Sequence, residues 1–132
     1  MTINTDLLID DVRLNLASIQ YDVIDDVTIK AALVDSYAYM QMIINEEIQR
    51  ECDVRACLIR YATYNSYLLY TMYANGESSL PETAGLILST LLMKAHACLS
   101  MLSEVPLNED LSIKESSYPT PVGIGLTSSS VL

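Results

Sequence analysis

The sequence contains no tryptophan and no phenylalanine, a single histidine, four glycines and four prolines. Each shortage excludes something. So few glycines and prolines leave too few turn residues for a β-sandwich, which needs turn signals at roughly 8–12-residue intervals. No glycine-rich phosphate loop is present, and one histidine leaves little for acid–base or metal chemistry. Cationic residues are also scarce. Seven Lys and Arg are scattered along the chain, which excludes a strongly basic nucleic-acid binder, because phosphate binding needs local cationic surface.

What is present is acid and aliphatic. Seventeen Asp and Glu give a formal net charge of −10 over 132 residues. The hydrophobic fraction of 51% is mostly aliphatics, Ala, Met and Tyr, and it excludes disorder over the whole chain. The length is that of one domain. Such a domain buries roughly two-thirds of its unfolded surface and needs no metal or disulfide to fold. Three cysteines, Cys52, Cys57 and Cys98, are an odd number, and the start MTINTDLLIDD carries acids where a secretory signal carries bases. The expectation is reduced thiols in a cytoplasmic setting.

Hydrophobic spacing predicts an all-α fold: a four-helix, bundle-like domain over 1–104 and an extended C-terminal arm over 105–132. The first helix is expected over about 6–18, with Leu7, Leu8, Val12, Leu14, Leu16 and Ile19 as its apolar stripe. A second, over about 27–50, follows Asp25-Asp26. Its stripe is Ile29, Leu33, Tyr37, Met40, Ile44 and Ile48, at steps of four and three. The third is expected over 53–75, from an Asp53 cap to an Asn75-Gly76 stop. Its stripe is Val54, Leu58, Tyr61, Asn65, Leu68 and Met72. The fourth, over 80–103, starts at the capping box Ser79-Leu80-Pro81-Glu82 and carries a broad apolar face from Ala84 to Leu102.

That last stretch is nearly long enough to span a bilayer. Lys94 at its middle would cost about 2.5–3.5 kcal/mol there, whereas the buried helix of a soluble bundle shows the same pattern without that cost. No membrane partner is therefore expected.

Tyr61, Tyr64, Tyr67, Tyr70 and Tyr73 fall every three residues. Each step moves the side chain back by about 60° around a helix, so the five cannot all face one core. Tyrosine is amphipathic and common at protein interfaces. The third helix is therefore expected to be contacted on two sides, with Tyr64, Tyr67, Tyr70 and Tyr73 forming an oligomer interface. The competing reading places two or three of them at the edge of the core.

The candidate chemistry is weak. Cys52-x4-Cys57 with His96 and Cys98 does not fit the paired spacing of structural zinc. His96 and Cys98 stand two apart on a helix and point away from each other. The doublets Asp10-Asp11, Asp25-Asp26, Glu46-Glu47 and Glu109-Asp110 read as solvated faces or helix-start acids. The expectation is no enzyme, no cofactor, no metal and no disulfide.

The tail from Ser116 to Leu132 is rich in Ser, Thr, Pro and Gly. Pro119 and Pro121 favour an extended backbone. Val122, Ile124 and Leu126 alternate with Gly123 and Gly125, as in a strand that adds to another chain's sheet edge. These five residues, Pro119, Pro121, Val122, Ile124 and Leu126, are the expected partner-docking segment. A disordered tail is the competing reading.

The order of these features resembles the head–tail connector (adaptor) proteins of tailed bacteriophages. The matching parts are a short first helix with Val12-Arg13-Leu14-Asn15-Leu16, and an acidic connector through Asp25-Asp26. A long helix through Ile29-Lys30-Ala31-Ala32-Leu33-Val34-Asp35-Ser36-Tyr37, two further helices and an extended arm complete it. The resemblance implies a structural virion protein, assembled in the host cytoplasm as a dodecameric homo-oligomer ring. It implies a portal protein above, a tail or stopper protein below, and DNA passing through without specific binding. Other classes that fit the sequence are a different helical assembly protein, a module binding one partner helix, and a small membrane protein.

Overall fold

A computed structural model describes residues 2–21, 23–73 and 83–114. Among the described residues there are four α-helices and no strand: α1 (Ile9–Ser18), α2 (Asp26–Ile43), α3 (Glu51–Tyr73) and α4 (Ala84–Leu102). A 3-10 turn, Thr5–Leu8, leads into α1. The Asn75-Gly76 stop, the Ser79 capping box and the segment 115–132 lie outside the described residues.

α1 ends on a Schellman motif. Gln20 takes the left-handed conformation, with φ 65°. Its N–H reaches the Ala17 carbonyl at 2.9 Å, and the Tyr21 N–H reaches Leu16 at 2.8 Å. These bonds satisfy carbonyls that the helix end leaves open. α2 starts on Asp25, whose carboxylate accepts the Thr28 N–H at 2.8 Å. Arg13 of α1 pairs with Asp26 at the same corner.

Four boundaries differ from the sequence reading, the first being that α1 starts at Ile9 rather than near Asp6, after the 3-10 turn. α2 stops at Ile43 rather than running to Arg50. Ile44 is extended, at φ −119° and ψ 136°, and the Asn45 side chain accepts the Glu47 N–H at 3.1 Å. An Asx turn here competes with helix continuation. The Ile43 carbonyl is taken by the Glu104 N–H at 2.7 Å. Ile44 still packs into the core, but Ile48, the last residue of the expected stripe, is exposed. α3 begins at Glu51, so Asp53 lies inside its first turn, where it pairs with Arg50 at 3.0 Å. α4 has Thr83 at its start, with no side-chain cap bond.

α3 packs against α1, α2 and α4. The core gathers Leu8, Val12 and Leu16 with Ile29, Leu33 and Met40, then Val54, Leu58 and Tyr67, and finally Leu91, Ala95 and Leu99. Asn65, a polar member of the α3 stripe, donates to the buried Ser36 of α2 at 2.7 Å. Its place on an inward face is thereby accounted for.

The sequence reading of three free thiols is corrected. Cys57 of α3 and Cys98 of α4 form a disulfide, and Cys52 is free and exposed. Both bonded cysteines lie on the inward faces of neighbouring helices, a proximity that no sequence spacing records. The bond also removes the reduced-thiol premise from the cytoplasmic expectation.

Residues 103–114 return to the helices. Leu107 and Ile113 form an isolated antiparallel bridge. Leu111 is buried in the core at φ 73°. Its carbonyl accepts the Tyr39 hydroxyl. A left-handed leucine costs roughly 1–2 kcal/mol, and burying its side chain returns about 1.5–3 kcal/mol. The first part of the segment expected as an arm is thus tied to α2.

Candidate interaction surface

The tyrosines of α3 are distributed by the packing of that helix. Tyr67 is fully buried, so its placement at an oligomer interface is corrected. Its ring stands edge-on to Tyr21, with centroids 4.8 Å apart, and stacks with Tyr70 at 6.3 Å. Tyr70 also meets Tyr21 edge-on at 5.4 Å. Burial, followed by the neighbouring tyrosines, pushes the Tyr67 hydroxyl well above its ordinary pKa. Tyr64 and Tyr70 are half-buried against the core. Burial, then the charge of Asp110, raises Tyr64. The Tyr73 side chain lies outside the described residues, as do Pro119, Pro121, Val122, Ile124 and Leu126.

The physical reason is the central place of α3. Its side chains meet three helices of the same chain, so tyrosines sweeping around its circumference are absorbed internally. Of the four tyrosines expected at an interface, Tyr67 is wholly enclosed by its own subunit, whereas Tyr64 and Tyr70 keep part of their surface exposed.

The exposed apolar face belongs to α4. Leu91, Ala95 and Leu99 point into the core. On the opposite side Leu86, Thr90, Met93, Ala97 and Met101 fall within about 80° of one another at 100° per residue. Leu86 is 68% exposed, Met93 68% and Met101 83%. The polar residues of this face spend their hydroxyls on the helix itself. Thr90 donates to the Leu86 carbonyl at 3.0 Å, and Ser100 donates to His96 at 2.6 Å. No acidic residue occurs in α4.

Most other exposed apolar residues lack this setting, Met72 near the end of α3 being an exception. Leu14 is similarly exposed, but Asp10 and Asp11 sit one turn away. Val27 stands beside Asp26 and one turn from Lys30. Leu86, Met93 and Met101 were not singled out from the sequence, because the whole of α4 reads as apolar and its outward side cannot be told from its inward side. Its freedom from acids was the available signal.

α4 is also the one helix among the described residues that is long and apolar enough to cross a membrane, with 22% of that window buried. No group of three His, Cys, Asp or Glu side chains gathers among the described residues. Cys98 is occupied by Cys57. Comparison of the chain with family models, with curated proteins and with solved structures found no match.

Proposed function

We propose that this chain is a non-catalytic assembly subunit that associates with copies of itself through the outer face of α4. The observation that carries the reading is the pairing of that face with the charge of the chain. A molecule of net charge −10 repels its own copies. Contact between copies therefore favours a surface poor in carboxylates, and on the Leu86–Met93–Met101 side the helix itself carries none, with Glu109 beside Met93 at one edge. The helix has 19 residues, about 28 Å of length at 1.5 Å per residue. Serine, alanine and threonine between the large side chains permit close approach.

In its specific form the proposal follows the resemblance to phage head-to-tail adaptors. The four helices act as a bundle-like unit in a ring of about a dozen copies beneath a portal protein. A tail or stopper protein binds below, and the acidic surface offers DNA a passage that does not hold it. The segment 115–132 is the proposed arm toward the portal.

A second reading is that α4 lies against lipid, which its apolar exposed side favours. Lys94 at mid-helix and the anchorage of the opposite face to α3, through Leu91, Ala95, Leu99 and the Cys98 bond, weigh against a crossing.

The test is native mass, measured with and without a portal ring, for the parent and for Leu86→Glu/Met93→Glu. The parent should form a multi-subunit species and the variant remain single, with unchanged helicity. A parent that stays single under both conditions overturns the assembly reading. Vesicle binding by the single species would favour lipid.

A further inference from the structure

We propose that the cleft where α1, α3 and α4 meet is a binding site for a small amphipathic anion, a carboxylate or phosphate ester carrying an apolar body. The cleft has a volume of about 350 Å³, at the lower end of the range usual for small-molecule sites. Its charge is what sets it apart. Arg60 of α3 and Lys94 of α4 both line it. No carboxylate lines it among the described residues.

Cations are rare in this chain, and most are spent. Arg13 pairs with Asp26, Lys30 with Asp6, Arg50 with Asp53 and Arg55 with Glu51. Arg60 and Lys94 have no ion pair among the described residues, although acids outnumber bases by 17 to 7. Two unpaired cations from different helices, brought to one concave place on an acidic molecule, form a local reversal of potential. Low-dielectric walls concentrate such a field on an incoming anion.

The rest of the lining assigns the ligand's other features. Asn15 donates to Thr63 at 3.3 Å, and Thr63 donates to the Ile59 carbonyl at 2.7 Å. Ser18 donates to the Asn15 carbonyl at 2.6 Å. The hydroxyl donors are thus already committed, and besides the second amide N–H of Asn15 the unspent donors are the guanidinium and the ammonium. A neutral polar ligand would find few partners, whereas an anion would gain charge-assisted bonds from two directions. Ile19 and Leu91 offer apolar wall, which favours an anion with a hydrocarbon or aromatic body over a bare inorganic ion. The cleft shares Ala97 with the outer face of α4 but none of Leu86, Met93 and Met101, so failure of self-association would leave its lining cations in place.

The test titrates the full-length protein with phenyl phosphate and with hexanoate, following the amide signals of Asn15, Thr63 and Ala97 by NMR. Hexanol and inorganic phosphate serve as controls. Saturable shifts at these amides with at least one of the two amphipathic anions are expected, and the one that binds more tightly assigns the headgroup. Each control should bind roughly tenfold or more weakly than that anion, since it lacks either the charge-assisted bonds or the apolar body. Arg60→Gln/Lys94→Gln should keep the parent's helicity and lose affinity by roughly tenfold or more, and added salt should weaken the parent's binding. The proposal is overturned by the absence of saturable shifts with both anions, by hexanol or inorganic phosphate binding as tightly, or by unchanged affinity in the double variant.

Discussion

Cys57 of α3 and Cys98 of α4 are joined by a disulfide with Cα atoms 5.4 Å apart and a sequence separation of 41. The bond closes a loop that contains most of α3, the connection to α4 and most of α4. Cross-linking a loop of that length removes about 4 kcal/mol of entropy from the unfolded chain, on the chain-entropy model. Cys57→Ala/Cys98→Ala should therefore lose about 2–4 kcal/mol in urea unfolding. The parent's intact mass should fall short of the fully reduced value by two hydrogens. A parent carrying three titratable thiols after unfolding without reductant would show the bond to be absent.

Among the described residues the buried hydroxyl of Tyr67 has no partner in hydrogen-bond geometry, although the Tyr21 phenol is close enough to help raise its pKa. A buried polar group left unpaired costs about 1–3 kcal/mol. Tyr67→Phe should thus be neutral or stabilising by about 1 kcal/mol. Tyr67→Ala should cost about 3–5 kcal/mol by opening a cavity between Tyr21 and Tyr70. Thermal melts of the two variants decide this. A clear loss in Tyr67→Phe would mean the hydroxyl has a partner.

Gln20 occupies a position that glycine fills at lower cost, at φ 65°. Gln20→Gly keeps both backbone bonds of the Schellman motif and relieves the crowding of Cβ. The variant should gain about 1 kcal/mol, read as a higher melting temperature.

Tyr39 ties α2 to the returning chain through the Leu111 carbonyl. Burial, then the charge of Asp110, raises its pKa, so the hydroxyl keeps its proton over the ordinary pH range. Tyr39→Phe should cost about 1 kcal/mol. Hydrogen exchange should quicken over residues 107–114 before it quickens in α3. Equal acceleration everywhere would mean the tether does not act locally.

Asp25 and Asp110 set an acid limit. The Thr28 hydroxyl and then its backbone N–H hold the Asp25 carboxyl below its ordinary value of 3.8. The Ser112 hydroxyl and N–H do the same for Asp110. A pKa lower in the folded than in the unfolded chain stabilises above the unfolded value, and the contribution fades as pH falls through 3.8 and below. Asp25→Asn/Asp110→Asn keeps capping oxygens that do not titrate in this window. Stability should therefore fall less steeply below pH 4 in the double variant than in the parent.

Much of the helical layout was legible in the spacing of apolar residues. Ile29, Leu33, Tyr37 and Met40 were read as one face of α2, and all four are buried. The start of α2 was legible to the Asp25-Asp26 pair, because helix starts are local, and the structure makes Asp25 the cap. The end of α2 was not. Ile44 and Ile48 continue the helical period, but Asn45 turns the chain, and the Ile43 carbonyl finds the Glu104 N–H 61 residues on. Periodicity reports which residues are apolar. It does not report a bond to a distant segment.

The sequence by itself determined the helical character, the acid excess and the positions of most inward-facing stripes, because these depend on neighbours within a turn or two. Only the tertiary structure decided what surrounds each helix. It placed α3 among three others, so that Tyr67 became core rather than contact. It set α4 at the outside, leaving Leu86, Met93 and Met101 exposed. It also brought Cys57 to Cys98 and Arg60 to the cleft it shares with Lys94. Such pairings join residues tens of positions apart, and they arise from how the helices fill space together, which no local pattern encodes.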